Sequence, residues 1–154
     1  VNCAKTGGIY IREEMMKYAT LPGGQGICPD GWHLPTDEEW KILEGVADSY
    51  YVIGSNIWNG TNFRGTDAGK NLKSIQGWSS NGNGTDLYGF TAVAGGYWWQ
   101  NSFFEYTNFG VYWTSSSNNA GLPYYRGMRM DMNSIARMLN TFGSTGYSVR
   151  CLKD

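Results

Sequence analysis

His33 is the only histidine in the chain, so any acid–base dyad or triad built on an imidazole has to pass through it. It sits between Trp32 and Leu34, just ahead of Pro35-Thr36, where a structural ring hydrogen-bonded to backbone is the plain expectation. Asp37, Glu38 and Glu39 are three consecutive carboxylates, the raw material of paired acid and base catalysis. They also follow a threonine, and a helix N-terminus selects that pattern because acids there meet free N–H groups and the positive end of the dipole. Ser115-Ser116-Ser117 offers hydroxyl nucleophiles without a nucleophile elbow or an evident base. Three cysteines show no Cys-x-x-Cys or Cys/His spacing, so no metal site is expected. The reading is of no catalytic residues, no cofactor and no metal.

The aromatic residues point to recognition instead. Trp98-Trp99 and Phe103-Phe104 are adjacent pairs, and neighbours on a strand face opposite ways, so one of each pair is expected buried and the other exposed. Trp99 and Phe104 are assigned the exposed side. With Tyr106, Tyr125, Arg129 and Asp131 they form the expected binding face, because rigid Trp, Tyr and Arg dominate interface energies. The partner would be a protein or glycan ligand at a surface, or other copies of the chain.

The elements that must position these groups follow from periodicity. Ile11, Met15 and Tyr18 have the spacing of one inward helix face over residues 11–18, stopped by Leu21-Pro22-Gly23-Gly24. Thr36 with Glu39 reads as a capping box that opens a second helix, with Trp40, Leu43 and Val46 or Ala47 facing the core. Residues 48–63 read as an irregular excursion, and 67–74 as a short helix that buries Leu72. Residues 79–85 are a run of turn formers. Strands follow over 111–115, 124–132, 135–140 and 147–152. In the second of these, Met128, Met130 and Met132 are expected inward, and Tyr125, Gly127, Arg129 and Asp131 outward. Helices first and antiparallel strands afterwards make an α+β chain, taken as one domain over residues 1–154.

Composition narrows the partners. Lys and Arg total 12 against 13 acids, so no basic field exists to hold nucleic acid. No apolar run of about 18 residues is present, and no membrane insertion is expected. Charged residues are 16%, against about 25% in ordinary domains, while 22 Gly, seven Trp and eleven Tyr resemble the chemistry of paratopes. The opening at Val1 reads as that of a processed, mature product, with a piece cut from a longer chain as the alternative. Asn59 and Asn83 fit the glycosylation sequon.

Seven motifs occur in an order that resembles a known family. They are Gly26-Ile27-Cys28-Pro29 with Gly31-Trp32-His33-Leu34-Pro35-Thr36; Glu39-Trp40; Arg64-Gly65-Thr66-Asp67-Ala68-Gly69 with Leu72-Lys73; Gly89-Phe90 with Ala94-Gly95-Gly96-Tyr97; Tyr112-Trp113-Thr114-Ser115-Ser116; Tyr124-Tyr125-Arg126; and Ser148-Val149-Arg150-Cys151. Together they resemble the Fibrobacter succinogenes major paralogous domain, a secreted and often surface-anchored bacterial module. The resemblance implies a C-type lectin-like fold, with two helices beside a small twisted antiparallel sheet, long loops and neighbouring chain ends. It also implies a Cys28–Cys151 disulfide, hence an oxidising, extracellular or cell-surface location. Cys3 would then be free or bonded to another chain.

The reactive cysteine pair of formylglycine-generating relatives is missing, as are the Glu-Pro-Asn and Trp-Asn-Asp signatures of calcium-dependent lectins. Residues 101–147 are rich in the Asn, Tyr and Ser that retroelement-diversified variable proteins of the same fold display. The function expected is a non-catalytic secreted or cell-surface binding or adhesion module, with a self-assembling fibre or surface-layer subunit as the alternative.

Overall fold

The computed structural model describes residues 6–154; the expectation for Cys3 lies outside the described residues. Strand β1 (Ile9–Tyr10) leads into helix α1 (Arg12–Met15). The helix is shorter than its periodicity predicts because Lys17 and Tyr18 take positive φ, 49° and 60°. Met15 and Met16 are buried, but Tyr18 is 80% exposed rather than inward. Arg12 pins α1 by donating to the Thr114 and Ser115 carbonyls and to Ser117 Oγ.

Strand β2 (Trp32–His33) precedes helix α2 (Asp37–Ala47). The expected capping box is present: Thr36 Oγ1 accepts from the Glu39 N–H, and Glu39 accepts from the Thr36 N–H at 2.8 Å. Trp40 and Ala47 face the core and Val46 faces solvent. The excursion after α2 contains a 3-10 turn over Asn56–Asn59 that buries Trp58, then strand β3 (Asn62–Arg64) and helix α3 (Ala68–Leu72) with Leu72 fully buried. Asp48 anchors this segment, its carboxylate accepting from the N–H groups of Tyr50, Tyr51, Thr66, Asp67 and Ala68.

The strands that follow are β4 (Tyr97–Trp99), β5 (Ser102–Phe104), β6 (Phe109–Ser117), β7 (Pro123–Arg129), β8 (Ile135–Leu139), β9 (Tyr147–Ser148) and β10 (Leu152–Lys153). The fold is mixed α+β. A six-stranded sheet runs β1-β9-β6-β7-β8-β3, and β10-β2 and β4-β5 are separate two-stranded ribbons. All pairings are antiparallel except β6 with β9. The single strand expected over 147–152 is split between two sheets. The Cys28–Cys151 disulfide sits at that split, with Cα atoms 5.8 Å apart and a sequence separation of 123.

Both faces of the large sheet are covered, which corrects the expected outward face of β7. One core holds Trp40, Trp58, Leu72, Trp78, Tyr112, Met128 and Ile135. The other holds Met15, Met16, Cys28, Leu34, Val111, Trp113, Tyr125 and Tyr147. Alternation along β6 and β7 therefore sends both sets of side chains into buried surroundings. Tyr125 and Gly127 are buried, and only Arg129 and Asp131 of the expected set reach solvent. Met128 is fully buried and Met130 packs at the core edge, but Met132 is 38% exposed, since β7 ends at Arg129 and alternation lapses there.

A charged layer lies between α2 and the sheet. Asp37 and Glu44, seven residues apart, share one helix face and meet three arginines. Arg126 donates from Nε to Glu44 and from Nη1 to Asp37 at 2.9 Å. Arg64 reaches Glu44 at 2.5 Å, and Arg137 reaches Asp37 Oδ2 at 2.8 Å. Burial alone would push the Asp37 carboxyl up, but Arg137 and Arg126 outweigh it and hold it well below the usual carboxylate range. Burial pulls the Arg64 guanidinium down to about 10, against the pull of Glu44.

Candidate binding site

His33, Glu39 and Ser115 each make hydrogen bonds that tie separate parts of the fold together. His33 bonds two carboxylates rather than backbone: Nδ1 lies 2.6 Å from Asp154 Oδ1 and Nε2 lies 2.9 Å from Glu39 Oε1. Its pKa is raised by the bonds to Asp154 and Glu39. The ring thus ties the α2 cap to the chain end beside β10. Ser115 Oγ is buried, donates to the Leu34 and Pro35 carbonyls and accepts from the Gly23 N–H. Among the described residues, no three His, Cys, Asp or Glu side chains cluster as a metal site would require.

The aromatic residues do assemble. β4 and β5 form a hairpin closed by Gln100-Asn101, both at positive φ (44° and 64°), the type I′ geometry that suits strand twist. Two glycines allow this hairpin and its neighbours to pack closely. Gly146 exchanges both backbone hydrogen bonds with Trp98, and a Cβ there would lie 2.6 Å from Ile9 Cγ2. Gly127 lets the Phe109 ring lie across β7, where a Cβ would come within 2.6 Å of Cζ.

Between the hairpin and the sheet is a cleft of about 160 Å³, lined by Tyr97, Trp99, Phe109, Val111, Tyr125, Phe142, Thr145 and Tyr147. Six of these eight are aromatic. Tyr125 and Tyr147 meet at 4.7 Å in its floor. Trp99 and Phe142, 6.0 Å apart and edge to face, flank its mouth. Phe142 hangs on a loop fixed by Asn140, which accepts from the Phe142 N–H and donates to the Gly143 carbonyl. Burial raises the pKa of Tyr125 and of Tyr147, and for Tyr147 the proximity of Tyr125 adds to it. Both phenols stay neutral at physiological pH. That of Tyr125 donates to Met138 Sδ at 3.2 Å.

Of the six residues expected to form one binding face, the structure brings together Trp99, Phe104 and Tyr125. Phe104 is not itself part of the lining but packs on two residues that are, stacked on Tyr97 at 5.6 Å and against Trp99 at 6.1 Å. Tyr106 opens instead onto a different cavity, beside Ile75, Asp86 and Thr91. Arg129 and Asp131 pair with each other at 3.1 Å past the end of β7 and do not line the cleft. The adjacent aromatics do not divide into buried and exposed partners: Trp98 and Trp99 are both half-buried, and Phe103 and Phe104 are both exposed. The hairpin stands off the sheet, so both its faces keep solvent contact.

Sequence reasoning missed Tyr97, Phe109, Val111, Phe142, Thr145 and Tyr147 as site residues. Tyr97 was accessible by parity, since i and i+2 share a strand face with Trp99.

The model of the family described as the Fibrobacter succinogenes major domain matches residues 2–153. No curated protein and no solved structure gives a significant match. With all but the two terminal residues matched, the chain belongs to the Fibrobacter succinogenes major domain family.

Proposed function

We propose that this protein is a non-catalytic binding module of the cell exterior, built on a C-type lectin-like frame. Its ligand is an apolar side chain presented by a partner protein, taken into the aromatic cleft between the β4–β5 hairpin and the sheet. The observation that carries this reading is the cleft itself: six rings around a space of about 160 Å³, close to the roughly 150 Å³ of an apolar cavity that holds benzene. The lining offers three phenols, one indole N–H and one threonine hydroxyl, and no charged side chain. A sugar, with its many hydroxyls, would leave most of them without partners there, so a protein side chain suits the cleft better than a glycan. The disulfide is consistent with an oxidising compartment.

Arrays of displayed peptides and of glycans, probed with parent and Trp99→Ala protein, test the reading. Peptides with an aromatic or large aliphatic anchor should bind the parent. Trp99→Ala should weaken them by about 30-fold, the equivalent of roughly 2 kcal/mol, with near-UV circular dichroism otherwise native. Glycan binding alone, or binding indifferent to Trp99, would sink it.

A further inference from the structure

A separate feature lies on the far side of the same hairpin. Trp98 pairs with Phe103 across β4 and β5, but its N–H and C=O are both bonded to Gly146. In an antiparallel ladder this makes Trp98–Phe103 a non-hydrogen-bonded pair, so the N–H and C=O of Phe103 point away from β4, into solvent. All three residues of β5 are exposed, Phe103 at 52% and Phe104 at 37%. An exposed apolar edge with free backbone groups is a template for strand addition.

We propose that this edge pairs with the same edge of a second copy, about a two-fold axis centred on Phe103. The two Phe103 residues then exchange both backbone hydrogen bonds, and the two ribbons join into a four-stranded sheet. Side chains favour this occupant. Opposite residues share a face, so Trp98, Phe103, and the Phe103 and Trp98 of the second copy form one aromatic row. On the other face, Ser102 meets Phe104 of the second copy. The small residue leaves the space that the ring fills, against Trp99, the cross-strand partner of Ser102. Glu105 falls nearest Asn101 of the second copy, so no like charges meet.

Asn101 and Glu105 both take positive φ, 64° and 57°, and turn the chain out of line at each end of the strand. The pairing is therefore confined to three residues and closes as a dimer rather than a fibre. The Trp98–Phe103 row lies on the hairpin face opposite Tyr97 and Trp99; on the cleft side the pairing reaches only Trp99 and Phe104, and its test reads association rather than ligand binding.

Sedimentation velocity over roughly 1 μM to 1 mM tests the proposal, with cysteine trapping to fix the register. The parent should dimerise with increasing concentration, and Phe103→Lys, at a half-exposed position, should weaken the dimer at least about tenfold. With Cys3 replaced by Ser, Ser102→Cys and Phe104→Cys proteins should cross-link only when mixed. A parent monomeric throughout would overturn the proposal and leave an extended peptide as the edge's partner. So would a Phe103→Lys dimer as strong as the parent's, or self-cross-linking of either cysteine variant alone.

Discussion

Replacing Glu44 by Gln removes one charge from the layer between α2 and the sheet. Glu44 is 0% exposed and accepts from both Arg64 and Arg126, so the change leaves two buried guanidiniums facing a neutral amide. Asp37 lies close enough to hold Arg126 in part, through Nη1 at 2.9 Å. Arg64 retains the Ile135 carbonyl, at 2.8 Å from its Nη1, and the face of Trp58, but no carboxylate hydrogen bond. Breaking a buried pair in this way costs about 3–5 kcal/mol, a large share of the roughly 5–15 kcal/mol by which a domain is stable. At about 2–4 °C per kcal/mol for a chain of this size, the melting temperature should fall by roughly 6–20 °C. Urea unfolding followed by tryptophan fluorescence and thermal melts measure it. Glu38→Gln is the control: its side chain is 78% exposed and pairs with Lys41 at the surface, and its loss should cost under about 1 kcal/mol. A Glu44→Gln midpoint within that same margin would refute the view that this layer is a coupled, desolvated unit.

Further consequences follow from the anchors of the fold. Replacing Cys28 and Cys151 by Ser should lower stability by roughly 4–5 kcal/mol in the chain-entropy treatment of a loop this long, seen as a fall in urea midpoint; an unchanged midpoint would contradict it. Thr36→Ala deletes the cap of α2 and should cost about 1 kcal/mol, read in the same assay. His33 has a raised pKa from Asp154 and Glu39, so its contribution is complete below the unfolded value of about 6.5 and is lost as pH rises through the folded pKa. Its ring C–H resonances should titrate with a midpoint above 6.5, and His33→Gln should flatten the loss of stability on going from acid to neutral pH.

Much of the framework is written locally. The cap and three-acid start of α2 depend on residues within one turn of each other, as do the alternations of β6, β7 and β8, and these were legible. Period two says which residues share a face, not whether that face meets solvent, so Tyr125 read as exposed when a second core covers it. Glu44 reads as an ordinary helical acid because its partners, Arg64 and Arg126, are 20 and 82 residues away. Of the cleft's lining only Trp99 and Tyr125 were legible. Trp99, Phe104 and Tyr125 were accessible as aromatic candidates, but strands of two or three residues such as β4 and β9 carry too little pattern to show that Gly146 docks against Trp98. Without that docking, nothing in the chain places Phe142 or Tyr147 beside Trp99. The pairing of Cys28 with Cys151 came from the resemblance of whole motifs, since three cysteines alone allow three pairings.

The most direct test of the proposed function asks whether the cleft admits one aromatic side chain. Toluene, the free equivalent of a phenylalanine side chain, is titrated into the parent and into Trp99→Ala, following the Val111 methyl groups and the Trp99 indole by NMR. The account predicts saturable shifts confined to the residues around the cleft in the parent, with the Val111 shifts lost or weakened by about 30-fold in Trp99→Ala. Shifts that are absent, or spread over the exposed aromatics with no preference for Val111, would contradict it.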